Sequence, residues 1–214
     1  MLLVINQSLM VKCREMPSEY ITTLADKAQI PDLIKDGFLK GYAEPRVAFV
    51  GRSNVGKSSL INALVRSKIA RVSATPGKTR AIHFFRWLDK KRIVVDLPGY
   101  GFAKVAKSER NEWSGLLDAY FKAESKIEVV FMLFDSRHGP TEQDLEALEY
   151  FFAKRIPIQI ILTKIDQLKN QSERAKRKRE IKESLATFSI EEKDLIWVSI
   201  NQSHTIDHFR DRFL

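Results

Sequence analysis

The segment Gly51-Arg52-Ser53-Asn54-Val55-Gly56-Lys57-Ser58 constrains this 214-residue chain more than any other stretch. It follows the short apolar run Val47–Val50 and leads into Leu60–Val65, whose apolar residues fall at helical spacing. A strand, a glycine-punctuated loop and a helix in that order give G-x-x-x-x-G-K-S its meaning. Glycines at 51 and 56 let the backbone curl until successive N–H groups face one centre. With the helix N-terminus behind them, those dipoles form a cradle for a phosphate. Lys57 is expected to reach the β and γ oxygens, and the Ser58 hydroxyl to ligate Mg²⁺. The loop from Gly51 through Ser59 is the expected phosphate contact.

The chain around this loop alternates between two periodicities. Four further short apolar runs, RIVVD, VVFMLFD, IQIILT and IWVS, end on Asp, Thr or Ser. Amphipathic stretches such as ERNEWSGLLDAYFK, TEQDLEALEYFFAKR and SERAKRKREIKESLATF lie between or after them, and Ile206, Phe209 and Phe213 mark a last one. Continuous apolar strands alternating with helices predict an α/β fold, a mostly parallel sheet covered on both faces. Polar residues at the carboxyl ends of such strands sit where open α/β sheets bind ligands. Residues 45–214 are read as one domain and residues 1–44 as an extension packed on it. Within the extension, SEYITTLADKAQIPDLIKDG reads as a short helix or two, broken at Pro31 and Gly37.

Three more stations fall at strand ends. Asp96-Leu97-Pro98-Gly99 follows RIVV, and in a phosphate-loop protein its carboxylate lies beside the Mg²⁺ while the Gly99 N–H can touch a γ-phosphate. Thr163-Lys164-Ile165-Asp166 follows IQIIL and points to guanine. Asp166 can accept from guanine N1–H and the 2-amino group together, a charge-assisted pair that adenine cannot supply. A site built this way rejects adenine by on the order of 10⁴. The Lys164 stem can lie across base and ribose. Val198-Ser199-Ile200, after IWV, lies where backbone N–H groups would contact guanine O6. An ATP-using kinase is disfavoured by Asp166.

Composition narrows the setting. A chain that is 44% hydrophobic and 29% charged is ordinary for a globular protein, and no run approaches a membrane span. The N-terminus has no basic residue before its apolar stretch, which argues against a signal peptide. The one cysteine, Cys13, cannot form an internal disulfide, and the expected location is the cytoplasm. Net charge is +9, and it is uneven. Residues Arg66–Arg92 hold nine bases and one acid, and residues 168–182 hold seven bases and two acids. Two basic segments on an otherwise mildly acidic chain form a polyanion-binding footprint. A solvated helix face accounts for the second segment, which includes Arg174–Lys182, about as well.

The stretches EPRVAFVGRSNVGKSSLINAL, ATPGKTRAIHFF, VVDLPGYGFAKV, DSRHGPTEQD and LTKIDQL resemble the EngB family of bacterial ribosome-biogenesis GTPases. That family falls within the TrmE–Era–EngA–EngB–septin-like group. The resemblance implies a small G-protein-like fold, GTP and GDP as ligands, and Mg²⁺ held by Ser58, Thr79 and Asp96. In TPGKT it implies nucleotide contacts at Gly77, Lys78 and Thr79, with Thr79 as the switch threonine. Residues 67–80 would be the first switch and residues 99–110 the second. Many relatives have Asn at the place of Thr163, whose part is to brace the loop. The implied partner is a large ribosomal subunit precursor, met by the basic segments with the protein as a monomer and no membrane insertion. Effects on septation are implied too, though assembly of the septin kind would need an extended coiled-coil tail.

For catalysis the resemblance implies Lys57, Thr79, Gly99 and Asn54. The position that often carries a water-orienting glutamine, directly after D-x-x-G, is Tyr100, so slow hydrolysis is expected. Arg80, beside Thr79, is the candidate arginine finger. Asn54 resembles relatives in which this residue helps coordinate K⁺; the alternative is an asparagine that only braces its own loop. His204 and His208 have metal-pair spacing but no third ligand, and are read as helix-surface residues. Trp87, Trp113 and Trp197 are read as packing. Arg137 and His138 carry no chemistry assignable from sequence.

Overall fold

The computed structural model describes residues 18–35, 38–70, 81–101 and 107–213. Seven strands hydrogen-bond in the order β1-β3-β4-β2-β5-β6-β7. They are β1 (Glu19–Leu24), β2 (Arg46–Gly51), β3 (Ile82–Trp87), β4 (Arg92–Asp96), β5 (Ile127–Asp135), β6 (Ile158–Thr163) and β7 (Leu195–Trp197). Pairing is parallel from β4 through β7 and antiparallel for β1–β3 and β3–β4. The helices are α1 (Lys57–Val65), α2 (Lys107–Ala123), α3 (Glu142–Ala153), α4 (Gln171–Leu185) and α5 (Ser203–Phe213). The expected mostly parallel α/β architecture is what the chain adopts.

Period-two alternation divides each buried strand between two cores. In β2, Val47 and Phe49 join Leu60, Ile61 and Leu64 of α1 and Phe209 of α5 on one face. Ala48 and Val50 face the other way, among Leu117 and Tyr120 of α2, Leu148 and Phe151 of α3 and Leu185 of α4. Because both faces are covered, β2 and β4 show no polar residue between their ends. Phe131 of β5 stacks on Phe49 at 5.1 Å and meets the edge of Phe209 at 5.0 Å, joining neighbouring strands to α5.

The sheet's antiparallel edge departs from the sequence reading. Glu19–Leu24, expected to be helical, is strand β1, and His83 to Arg86 of β3 pair with β1 on one side and β4 on the other. Glu, Ala, Lys and Asp downstream favour a helix, but Tyr20, Ile21, Thr22 and Thr23 are β-formers, and a half-buried edge position suits them. The helical turns begin only at Lys27, behind the Asp26 cap.

Arg46, at the start of β2, is 1% exposed. Its guanidinium donates to Glu124 at 3.2 Å and to the carbonyls of Leu39 at 2.9 Å, Tyr42 at 3.0 Å and Glu44. One cation thus satisfies the end of α2 and the turns that lead from β1 into the sheet. Its loss would strip the buried Glu124 carboxylate of its cation, leaving it, among the described residues, the Lys126 N–H alone, and take one donor from each of those carbonyls. Arg46→Ala is therefore expected to cost about 3–5 kcal/mol of unfolding free energy in urea titration, several times the cost of truncating the exposed Lys122.

Candidate functional site

The loop after β2 closes by its own geometry. Gly56 adopts φ +103°, a conformation that L side chains rarely adopt, and its carbonyl takes the Leu60 N–H at 2.8 Å to open α1. Asn54 has φ 63°, tolerated by asparagine. Its side chain makes no hydrogen bond among the described residues. Lys57 is buried and its Nζ bonds to Asp96, at the end of β4. Ser58 and Ser59 follow, both half-buried.

The other stations gather on this loop. Leu97 donates to the Phe49 carbonyl at 2.9 Å, and Ser53 N–H to the Tyr100 carbonyl at 3.3 Å. A Cβ on Gly99 would lie 3.0 Å from the Gly51 carbonyl, tighter than side chains ordinarily make, so glycine lets D-L-P-G pass this close to the loop without a shift. The Pro98 carbonyl accepts from the Trp113 indole at 3.0 Å. On the opposite side, Thr163 Oγ1 donates to the Val55 carbonyl at 2.8 Å, which is the loop-bracing part expected of it. Lys164, at φ 61°, donates to the Asn54 carbonyl at 2.8 Å. Ile165 N–H reaches the Val198 carbonyl at 3.4 Å, tying this loop to the one after β7. There Asp166 accepts from Ser199 Oγ at 2.6 Å and from Asn201 Nδ2 at 2.9 Å. Both donors, Ser199 first, hold its carboxyl below the usual aspartate range. Ile200, between them, is half-exposed.

Four strand ends thus bring Gly51–Ser59, Asp96–Gly99, Thr163–Asp166 and Val198–Ile200 together. Gly77, Lys78, Thr79 and Arg80, the part of the first switch from residue 71 onward, residues 102–106 of the second, and Cys13 all lie outside the described residues. Among the described residues no three His, Cys, Asp or Glu side chains cluster as a metal cage. The donor set on the page, one hydroxyl at Ser58 and one carboxylate at Asp96, fits a hard cation that completes its shell with phosphate oxygens and water. His204 and His208 are exposed on α5; Trp87 is core, while Trp113 and Trp197 are half-buried.

Two functional carboxylates escaped the sequence reading. Asp135, at the end of β5, accepts from Lys164 Nζ at 2.8 Å and from Arg137 through Nε at 2.9 Å and a terminal nitrogen at 2.7 Å. Burial pushes its carboxyl up, but the hydrogen bonds from Arg137 and Lys164 prevail and hold it far below the aspartate range. It therefore fixes Lys164 over the loop and gives Arg137 a role. The signal was available, since VVFMLFD is one of the runs ending on a polar residue. Asp144, first turn of α3, accepts from the buried Tyr100 hydroxyl at 3.0 Å and from Thr141 N–H at 2.8 Å. Burial, then the Asp144 charge, raises the Tyr100 phenol well above its usual pKa. Tyr100 is thus a neutral strut between the second-switch region and α3.

The family described as "50S ribosome-binding GTPase" matches residues 46–164. Among curated relatives, the probable GTP-binding protein EngB of Thermotoga maritima is 54% identical over 131 residues, 61% of this chain and 66% of that protein. That of Thermotoga petrophila is 50% identical over 142 residues, 66% of this chain and 72% of that protein. A crystal structure of a probable GTP-binding protein engB superposes with a TM-score of 0.61 at 24% identity, covering 78% of this chain and 95% of that one. That likeness establishes the fold.

Asp135 gives this site a pH signature. A carboxyl whose folded pKa is depressed stabilises the fold above its unfolded pKa near 4 and loses that contribution as pH falls through the folded value. Urea midpoints measured from pH 6 down to pH 3 should fall less steeply in Asp135→Asn than in the wild type.

Proposed function

Because this chain belongs to the EngB family of GTP-binding proteins, and so is a GTPase, we propose that it works as a slow, Mg²⁺-dependent nucleotide switch in assembly of the large ribosomal subunit. The observation that carries this reading is the meeting of the four loops at one sheet edge, with an ionised Asp166 at one end and Lys57 beside Asp96 at the other. In this reading Gly51–Ser59 and Lys57 hold the phosphates, and Asp166 reads guanine under the Lys164 stem. Val198–Ile200 line the base, and Ser58, Asp96 and Thr79 hold Mg²⁺. Gly99 senses the γ-phosphate, and Gly77 and Lys78 complete the nucleotide contacts. Lys57 would leave Asp96 for the phosphates as the cation arrives.

Residues 45–214 form the GTPase domain in this reading and residues 1–44 its packed extension. The zipper of β1 onto β3 and the Arg46 bonds to the Leu39 and Tyr42 carbonyls support that division. No helix among the described residues is long and apolar enough to cross a membrane. A monomer in the cytoplasm, meeting the precursor particle, agrees with this. Effects on septation belong to the same reading.

The ribosomal RNA surface in this reading takes in the exposed face of α4 as well as the Arg66–Arg92 segment. In that segment Arg66 pairs with Asp207, Arg86 with Glu44, Lys90 with Asp211 and Arg92 with Glu128, and on α4 Lys176 and Arg177 pair with Glu180 and Lys178 with Glu192. On α4 only Ile181 and Leu185 are buried, and Lys176, Arg179 and Lys182 point away from them. Sedimentation with large subunits should show binding in the GTP-analogue state, weakened by Lys176→Glu with Arg179→Glu. The salt dependence should flatten by about two charges. An unchanged slope would confine the contact to Arg66–Arg92.

Hydrolysis needs a charge where an arginine finger would stand. Tyr100 is held by Asp144, and the Asn54 carbonyl is taken by Lys164, which leaves the Asn54 amide for K⁺. Turnover should be faster in K⁺ than in Na⁺ at equal ionic strength, and Asn54→Ala should abolish the difference. Equal wild-type rates in the two salts would remove K⁺ from the reading.

A further inference from the structure

The Asp166 carboxylate has two oxygens, each able to accept two hydrogen bonds. Each already holds one internal donor: Ser199 Oγ on Oδ1 at 2.6 Å, Asn201 Nδ2 on Oδ2 at 2.9 Å. The two donors are linked, because the Asn201 backbone N–H donates to Ser199 Oγ at 3.0 Å. Ser199 is buried, and its own N–H is fixed by Thr205 Oγ1 at 3.0 Å. Asn201 is exposed, and among the described residues its hydrogen bonds are those to Asp166 and Ser199. The ring Asp166–Ser199–Asn201 therefore sets the plane of the carboxylate and leaves one acceptor site on each oxygen for the two donors of guanine.

We propose that Asn201 is a specificity-determining residue, the internal donor behind the Asp166 oxygen that takes the exocyclic amine of guanine. This rests on the reading of Asp166 as the guanine selector. A base without that amine, hypoxanthine, still offers N1–H to one oxygen, and Asn201 keeps the other from being stranded. The chain therefore discriminates against inosine nucleotides less than a bare carboxylate would. Removing Asn201 leaves the second oxygen dependent on the amine alone, and the preference for guanine sharpens. The residue softens selectivity while it orients the selector.

The test is titration of GDP and of inosine diphosphate, both with Mg²⁺, into wild type, Asn201→Ala and Ser199→Ala. In Asn201→Ala the GDP-over-IDP affinity ratio should rise about fivefold, chiefly through weaker IDP binding, the scale of one hydrogen bond to a charged acceptor at a part-exposed site. In Ser199→Ala both nucleotides should weaken together, since both carry N1–H. An unchanged ratio in Asn201→Ala, or a ratio that moves in Ser199→Ala instead, overturns the proposal. Asp166→Asn separates the two levels of the argument: it should bind xanthosine diphosphate in place of GDP. If Asp166→Asn keeps the wild-type preference for GDP, the guanine reading falls and the role of Asn201 falls with it. If it switches while the Asn201→Ala ratio stays flat, only Asn201 loses its part.

Discussion

The backbone of one loop is the hub of this molecule. Residues 51–56 offer three carbonyls, Gly51, Asn54 and Val55, and each governs a different neighbour. Gly51 would crowd any side chain at position 99, Asn54 fixes a lysine and Val55 fixes a threonine. Because β2 is central, with β4 on one side and β5 then β6 on the other, these neighbours reach the loop from strand ends on both sides of it. Central placement follows from burial on both faces, which in turn requires the unbroken run VAFV. The chemistry at the sheet edge is therefore a consequence of how the core alternates beneath it.

Electrostatics in the site are settled before any ligand arrives. Lys57 and Asp96 neutralise one another in a buried pair, and Asp135 is shared by Lys164 and Arg137. A buried pair of this kind contributes little net stability, but it avoids the larger cost of a lone buried charge. It also makes ligand entry an exchange of partners rather than the desolvation of naked ions. The same economy holds at Asp166, whose carboxylate is kept ionised and oriented by Ser199 and Asn201.

Sequence alone revealed the four loops because each joins a strand of strong apolar character to residues that phosphate or purine chemistry requires. It revealed the parallel sheet for the same reason. It did not reveal β1 and β3. EYITTL carries its β character in Thr and Tyr at a half-exposed edge, where alternation is weak, and IHFFRW has no polar terminus to mark it. Asp135 and Asp144 were also missed, since their importance lies in partners 29 and 44 residues away along the chain. Nor could charge counting show how far ion pairs offset either basic segment. Arg66, Arg86, Lys90 and Arg92 look like a patch in one dimension, yet each has an acid beside it in three.

The zipper of β1 onto β3 has a mechanical consequence. β3 begins one residue after the segment expected to be the first switch, and it is stitched on both edges. A slip of one residue would turn Phe84 out of one core and Phe85 out of the other, so the strand cannot ratchet. Ile82 is therefore an anchor point, held in register against Leu24. The same stitching reaches the far end of the strand, where Trp87 pairs with Arg92 and lies under the Arg210 guanidinium.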